Sequence, residues 1–204
     1  MFMENNWIFS LPNAVAFCGV MALWLGWMFV FLLKKKGPQS EVKETRRERG
    51  SIAGIALQAV TYAAIWTIER RPKGPIVPMP DWLQWAVAVL QIFLAGFSVW
   101  ISATAVRTLG KQWTYVARTI EGHELITQGP YRLVRNPIYL GMFGMMVATA
   151  VSVTIWPVLL AAILIFLTGT AIRIRNEEKV LRATFGTQFE DYARRVPAFL
   201  PGLF

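Results

Sequence analysis

Residues 137–172 read PIYLGMFGMMVATAVSVTIWPVLLAAILIFLTGTAI, and this stretch decides the fold. No charged side chain occurs in it, and Trp156-Pro157 interrupts it with almost no room for a loop. Uncharged apolar runs of about 17–25 residues are typical of helices that span a membrane. The stretch therefore predicts two antiparallel transmembrane helices, 137–153 and 155–172, joined as a hairpin.

Three more apolar runs precede the hairpin, at 11–33, 51–68 and 82–106. The run at 51–68 is close to the lower length limit for a span, and the run at 11–33 is too long and too aromatic for a signal peptide. The whole chain of 204 residues is 55% hydrophobic, which is high for a soluble domain. We therefore expect an all-α, polytopic integral membrane protein with five transmembrane helices.

The basic residues predict how these helices are oriented. The segments 34–50, 107–136 and 173–204 contain seven, five and six Lys or Arg residues, whereas 69–81 on the other side contains three. Because Lys and Arg collect in cytoplasmic loops, the first three segments are expected in the cytoplasm, with the N-terminus outside and the C-terminus inside. We expect the plasma (inner) membrane as the location.

The formal net charge is +9, which in a soluble protein would suggest a nucleic-acid partner. Here the basic residues flank apolar spans, so no nucleic-acid partner is expected, and the basic loop 34–50 is expected to contact anionic membrane lipids.

We expect the chain to divide into three N-terminal helices, 1–106, and a C-terminal core, 107–204. That core consists of a cytoplasmic linker, 107–136, the hairpin, 137–172, and a cytoplasmic C-terminal segment, 173–204.

The linker carries polar residues that a plain connection does not need. It contains the sole histidine, His123, together with Tyr131 and Arg135. Asn136 and Pro137 are of the types favoured at the N-cap and the first position of a helix, so Asn136 is expected to cap the fourth helix. A single histidine and a single cysteine argue against a metal site built from imidazole or thiolate groups.

A second polar cluster lies where the fifth helix is expected to leave the membrane. Arg173 and Glu177 are spaced four residues apart and share one face of a helix. Glu177 and Glu178 are adjacent, so they point about 100° apart around the helix and are expected to have different partners. Ionisable residues at the end of an apolar run are candidates for function.

Together these clusters resemble the isoprenylcysteine carboxyl methyltransferase family of integral membrane enzymes, which is related to the phosphatidylethanolamine N-methyltransferases. The resemblance covers about the C-terminal half of the chain, from Arg107 onward, and the ordered set of positions makes it specific. The matching residues read HELITQGPYRLVRNPIYLG over 123–141 and RIRNEEKVL over 173–181, followed by Phe185-Gly186, Tyr192, Val196-Pro197 and Pro201.

The resemblance implies S-adenosylmethionine as the methyl donor, bound between the linker and the C-terminal segment. It assigns Arg173 and Glu177 to catalysis, beside the methyl group and the acceptor. It also implies that cofactor binding involves His123, Leu125, Gly129, Tyr131, Arg135, Asn136, Pro137, Tyr139 and Glu178. The family commonly has His where this chain has Asn136, which cannot take a proton, so no base is expected at this position.

Methyl transfer to a lipophilic acceptor at the cytoplasmic membrane face is the expected reaction. A carboxylate acceptor, as in an isoprenylcysteine-like small molecule or lipidated substrate, is already a nucleophile and needs a cation such as Arg173 to orient it. An amine lipid would need a base, for which Glu177 is the candidate. Two other classes stay open from the sequence, an NADPH-dependent membrane reductase of the sterol type and a non-enzymatic membrane scaffold.

Overall fold

The structure is a computed structural model that describes residues 10–32, 50–71, 73–110 and 125–200. Within these ranges the regular structure is helical apart from one isolated β-bridge between Glu69 and Thr154, so the all-α prediction is confirmed there. A short 3-10 helix, Gly129–Arg132, lies in the linker. The α-helices are α1 (Leu11–Leu32), α2 (Gly50–Thr67), α3 (Asp81–Leu109), α4 (Pro137–Val153), α5 (Trp156–Phe185) and α6 (Thr187–Arg195).

Three of the described helices, α1, α3 and α5, are long and apolar enough to cross a membrane by length and composition. The other two apolar helices form where the sequence predicts them and are shorter, with 18 residues in α2 and 17 in α4. Helix α5 continues without a break to Phe185 and is about 45 Å long. The polar cluster at its C-terminal half is therefore carried by the same rigid helix as the apolar arm of the hairpin.

Helix α4 is the centre of the bundle because both of its sides are packed. Met145 and Ala148 pack with α1 and α3 in one buried cluster. Met146 and Ala150 pack with α2 and α5 in another, where Phe166 is fully buried. Helix α4, whose N-terminal end joins the polar linker, is thereby packed against four neighbouring helices.

Two glycines of α4 are open to two interpretations from the sequence, close helix packing or room for a ligand. A Cβ atom on Gly141 would lie 2.8 Å from the carbonyl oxygen of Ser98 on α3, and one on Gly144 would lie 3.2 Å from Leu94. Small residues of this kind let two helix backbones approach closely inside a membrane. The structure favours close packing of α3 on α4 for both glycines.

Replacing Gly141 with alanine is expected to destabilise the bundle by about 1–3 kcal/mol, because α3 must shift to admit the methyl group. Thermal melting in detergent micelles measures the effect. Gly96→Ala is the matched control, since a Cβ at Gly96 on α3 meets nothing within 4 Å, and its melting temperature should be unchanged or slightly raised. Equal melting temperatures for the two variants would contradict this packing.

The opposite end of α4 is tied to the loop that follows α2. Arg70 is 8% exposed and donates hydrogen bonds to the carbonyl oxygens of Val151 and Ser152, both at 3.3 Å, and to that of Thr154. These are carbonyl groups at the C-terminus of a helix, where a cation is favourable. The hydrogen bonds of Arg70 therefore stabilise the hairpin at the end away from the linker.

Candidate functional site

The linker and the C-terminal segment meet at the N-terminal end of α4. The backbone N–H of Arg135 donates to the carbonyl oxygen of Pro197 at 2.9 Å. The hydroxyl of Tyr192 on α6 donates to the carbonyl oxygen of Tyr131 at 2.7 Å. The expectation that these two segments come together is confirmed for the described residues.

Asn136 occupies the N-cap position of α4 and Pro137 the first helical position, as the sequence predicts. The prediction that the Asn136 side chain caps the helix is wrong, because it bonds none of the N–H groups of α4, all of which are described. Its Nδ2 donates instead to the carbonyl oxygen of Ala198 at 2.8 Å. The residue therefore helps to hold the C-terminal segment against the linker.

A buried ion pair joins the linker to α5 and to the segment after α6. The guanidinium of Arg135 bonds Oε1 of Glu178 through Nε at 2.9 Å and through Nη2 at 2.7 Å, and each side chain is 10% exposed. Nη1 of Arg135 donates to the carbonyl oxygens of Ala193, at 2.8 Å, and Val196. One guanidinium thus binds three separate parts of the chain.

Glu177 faces different partners, as its angular separation from Glu178 predicts. Its Oε1 accepts a hydrogen bond from the hydroxyl of Tyr139. Nη2 of Arg173 lies 3.8 Å from the same oxygen, which is too long for a hydrogen bond. The Arg173 guanidinium lies over the Tyr139 ring, 4.6 Å from its centroid, in a cation–π contact.

The remaining contacts of Arg173 reach α2. Its Nη1 donates to Oε1 of Gln58 at 2.9 Å, and its Nε is buried with no hydrogen-bond partner among the described residues. Gln58 is not among the residues expected in the site from the sequence, because it lies alone within an apolar run. The available signal was a polar amide within an apolar run, which is a functional candidate in a membrane helix.

A cavity of about 110 Å³ lies between the linker, α5 and α6. Six of the residues assigned from the sequence line it, namely Leu125, Tyr131, Arg135, Asn136, Glu177 and Glu178. Six further residues line it that were not assigned, namely Leu109, Ile126, Leu181, Phe185, Phe189 and Tyr192. The added residues are mostly apolar. Four of them lie at the end of α5 or on the apolar face of the short amphipathic helix α6, and this pattern was their signal in the sequence.

The other assigned residues lie outside this lining. Pro137, Tyr139 and Arg173 are adjacent to it, and His123 falls outside the described residues. Gly129 has a positive φ of 58°, and a Cβ there would lie 2.7 Å from Oγ1 of Thr108 on α3. The backbone conformation and the close approach of α3 account for a glycine at this position.

The two tyrosines of the cavity keep their protons at neutral pH. Burial raises the pKa of Tyr192 to about 12 and the pKa of Tyr131 well above its usual value of about 10. The phenol of Tyr192 therefore stays a hydrogen-bond donor to the linker. The neutral phenol of Tyr131 adds a polar group without charge to the cavity.

The cavity lining fits the chemistry of S-adenosylmethionine. Phe185, Phe189 and Leu181 form an apolar side suited to an adenine ring, and no described residue donates to Oδ1 of Asn136 or to Oε2 of Glu177. These oxygens are free to accept from the amino groups of such a cofactor. At about 110 Å³ the cavity is smaller than the ~300–1,000 Å³ of typical ligand sites, so it has room for only part of such a cofactor.

Comparison with known proteins gives a family. A family model described as phospholipid methyltransferase matches residues 86–188, from α3 through the hairpin into α6. The chain is similar to a probable protein-S-isoprenylcysteine O-methyltransferase of Oryza sativa subsp. indica, with 34% identity over 119 residues, 57% of this chain and 62% of that protein. It is also similar to methanethiol S-methyltransferase 2 of Bradyrhizobium diazoefficiens, with 30% identity over 171 residues, 74% of this chain and 62% of that protein.

Among solved structures, the chain is similar to a eukaryotic intramembrane Ras methyltransferase, an isoprenylcysteine carboxyl methyltransferase. The TM-score is 0.64 and the identity 19%, covering 95% of this chain and 69% of that one. At this identity the likeness concerns the fold, which is that of a helical membrane protein. The chain spans 62% of the length of the rice and Bradyrhizobium relatives.

Proposed function

The chain belongs to the phospholipid methyltransferase family, and from that membership we propose that it methylates the carboxylate of a lipophilic, isoprenylcysteine-like acceptor. S-adenosylmethionine is the proposed donor, and the product is a methyl ester. The relatives named as isoprenylcysteine O-methyltransferases support this reaction over a sterol-type reductase or a scaffold.

The observation that carries the proposal is the state of Arg173. Its Nε is a buried donor without a partner among the described residues, and its neighbour Glu177 lines the cavity. An unpaired buried donor on a charged group is costly unless a ligand satisfies it. A carboxylate acceptor would supply an anionic oxygen at hydrogen-bonding distance, which this guanidinium lacks among the described residues.

The residues that line the cavity would hold the cofactor. Tyr131, Asn136 and Glu177 offer polar groups to it, and Leu125 packs beside it. Glu178 contributes mainly through Arg135, since its Oε1 accepts two bonds from that side chain. His123, Gly129, Pro137 and Tyr139 remain proposed members of the site by resemblance.

The proposed reaction requires little proton transfer by the protein. The cofactor supplies an electrophilic methyl group on a sulfonium, so the S–C bond breaks as the acceptor O–C bond forms, and a neutral thioether leaves. The acceptor carboxylate is ionised at neutral pH and needs no base. Arg173 orients it, while Tyr139 and Glu177 set the position of the guanidinium.

We also propose that α2 and α4 cross the membrane together with α1, α3 and α5, giving five spans. The N-terminus is outside and the site faces the cytoplasm, as the excess of basic residues in 34–50, 107–136 and 173–204 supports. The plasma membrane is the proposed location. The lipophilic acceptor enters from the bilayer, and the polar cofactor comes from the cytoplasm.

Transfer of a labelled methyl group tests the acceptor class. Purified protein in micelles is supplied with methyl-labelled S-adenosylmethionine and, separately, an N-acyl-S-farnesylcysteine, an aliphatic thiol and an aminophospholipid. Label is expected on the farnesylcysteine as an ester that base releases. The thiol is the second candidate, because the methanethiol S-methyltransferase covers 74% of this chain. Label on the thiol or the amine alone would contradict the carboxylate acceptor, and label on none would contradict methyl transfer to these classes.

A further inference from the structure

Gln58 is a buried amide in the apolar helix α2, with 3% of its surface exposed. Such a group is costly in an apolar setting unless both of its ends are hydrogen-bonded. Its Oε1 accepts from Nη1 of Arg173 and its Nε2 donates to Oγ1 of Thr170, each at 2.9 Å. A guanidinium can only donate, so the orientation of the amide follows from its partners. Gln58 therefore holds one edge of Arg173 in a defined position.

Close approach of α2 to α5 places the amide there. Gly54 lies one turn before Gln58, and a Cβ on Gly54 would lie 2.5 Å from Cγ of Arg173. A Cβ on Gly169 would lie 2.8 Å from the carbonyl oxygen of Gly54. The stem of Arg173 thus crosses the backbone of α2 with little space to move. The head of the side chain is then held by Gln58 on one edge and the ring of Tyr139 on one face.

These partners hold the guanidinium without a direct hydrogen bond to a carboxylate. Gln58 and the Tyr139 ring are both uncharged, and Glu177 is the one carboxylate within 4.0 Å among the described residues, at 3.8 Å. The contrast is with Arg135, which bonds Glu178 directly at 2.7 Å. A neutral amide gives Arg173 a fixed geometry and leaves its charge available to a ligand.

We propose that Gln58 is a positioning residue that holds Arg173 without a direct hydrogen bond to a carboxylate, so that the site selects an anionic acceptor over a cationic one. This inference rests on the proposed function, because it concerns the acceptor of the same reaction. Gln58 acts through Arg173 and does not itself contact the reacting atoms. It also gives α2, which lies outside the matched family range of 86–188, a part in the chemistry.

Two substitutions at this position separate geometry from charge. Gln58→Glu keeps an acceptor for Arg173 and adds a negative charge beside it. Affinity for the N-acyl-S-farnesylcysteine carboxylate should then fall about tenfold or more, whereas affinity for its neutral methyl ester should stay within about twofold. Gln58→Leu removes the hydrogen bond, and kcat should fall about 10- to 100-fold because the guanidinium loses its position.

Gln91→Leu is the matched control. Gln91 is a buried amide on α3 that donates to Oγ of Ser152 at 2.9 Å and to the carbonyl oxygen of Ala148 at 3.3 Å, near the opposite end of α4. The substitution should lower the melting temperature as much as Gln58→Leu does. It should leave kcat, and the affinities for the carboxylate and the ester, unchanged.

Calorimetric titration of each variant with both probes, in the presence of S-adenosylhomocysteine, measures the affinities. The inference is overturned if Gln58→Glu binds the carboxylate as well as the wild type, if Gln58→Leu matches Gln91→Leu in kcat, or if the wild type methylates only an amine. The same measurements on the wild type distinguish failure of this inference from failure of the proposed function. If the wild type neither binds S-adenosylhomocysteine nor transfers a methyl group, the methyltransferase proposal itself is wrong.

Discussion

Arg173→Ala is expected to lower kcat/KM for methyl transfer by about 10²- to 10³-fold, while affinity for S-adenosylhomocysteine stays within about twofold. In the proposed reaction the guanidinium, whose Nε is buried, orients the acceptor, and Arg173 lies outside the lining of the cavity proposed for the cofactor. Its loss therefore acts on the acceptor and spares the donor. Methyl-transfer kinetics and calorimetry measure the two quantities separately.

Arg175→Ala is the control for this substitution. Arg175 carries the same charge two residues along α5 and is exposed to solvent, so kcat/KM should be unchanged. Arg173→Lys gives an intermediate test, because lysine keeps the charge and lacks the planar fork of donors. Activity of Arg173→Ala equal to that of Arg175→Ala would remove Arg173 from the mechanism.

Arg135→Ala is expected to release the C-terminal segment from the linker. The substitution leaves Glu178 buried with one weaker partner, Arg182 at 3.2 Å, and removes the bonds to the carbonyl oxygens of Ala193 and Val196. Breaking a buried pair by removing one partner costs about 3–5 kcal/mol. Because the lost contacts lie in one place, amide hydrogen exchange over 189–199 should rise while exchange in α3 and α4 stays slow.

Arg194→Ala is the matched control for this effect. Arg194 pairs with Asp191 at 3.7 Å on the surface of α6, where the two side chains are 77% and 65% exposed. Exposed pairs contribute about 0–1 kcal/mol, so exchange over 189–199 should stay near that of the wild type. If amide hydrogen exchange over 189–199 is the same in Arg135→Ala and Arg194→Ala, the ion pair of Arg135 with Glu178 does not hold the C-terminal segment.

The helices were largely predictable because each apolar run is long and ends at polar residues. The predicted run at 82–106 became α3, Asp81–Leu109, and that at 155–172 became the apolar part of α5, Trp156–Phe185. The differences lie at the ends, where polar residues continue a helix beyond its apolar part. The hairpin followed from the uncharged stretch around Trp156-Pro157, which leaves no room for a loop.

The partners of polar side chains were less predictable, because they depend on which helices pack together. The spacing of Arg173, Glu177 and Glu178 predicted that the two carboxylates face different ways. It could not predict that Gln58 on α2 lies beside Arg173, since the approach of Gly54 to Gly169 decides that contact. The partner of Asn136 was also unpredictable. The residue occupies the N-cap position of α4, but its side chain donates to the carbonyl oxygen of Ala198, which only the folded C-terminal segment brings close.

The most direct test of the central claim, a cofactor site between the linker and the C-terminal segment, is a calorimetric titration of the wild-type protein in micelles with S-adenosylhomocysteine. Saturable binding of one molecule per chain is predicted. The melting temperature should rise with it, by an amount equivalent to about 2.7 kcal/mol when the ligand is at 100 times its Kd. A sample with a helical circular dichroism spectrum that shows neither heat of binding nor a shift in melting temperature would contradict the account.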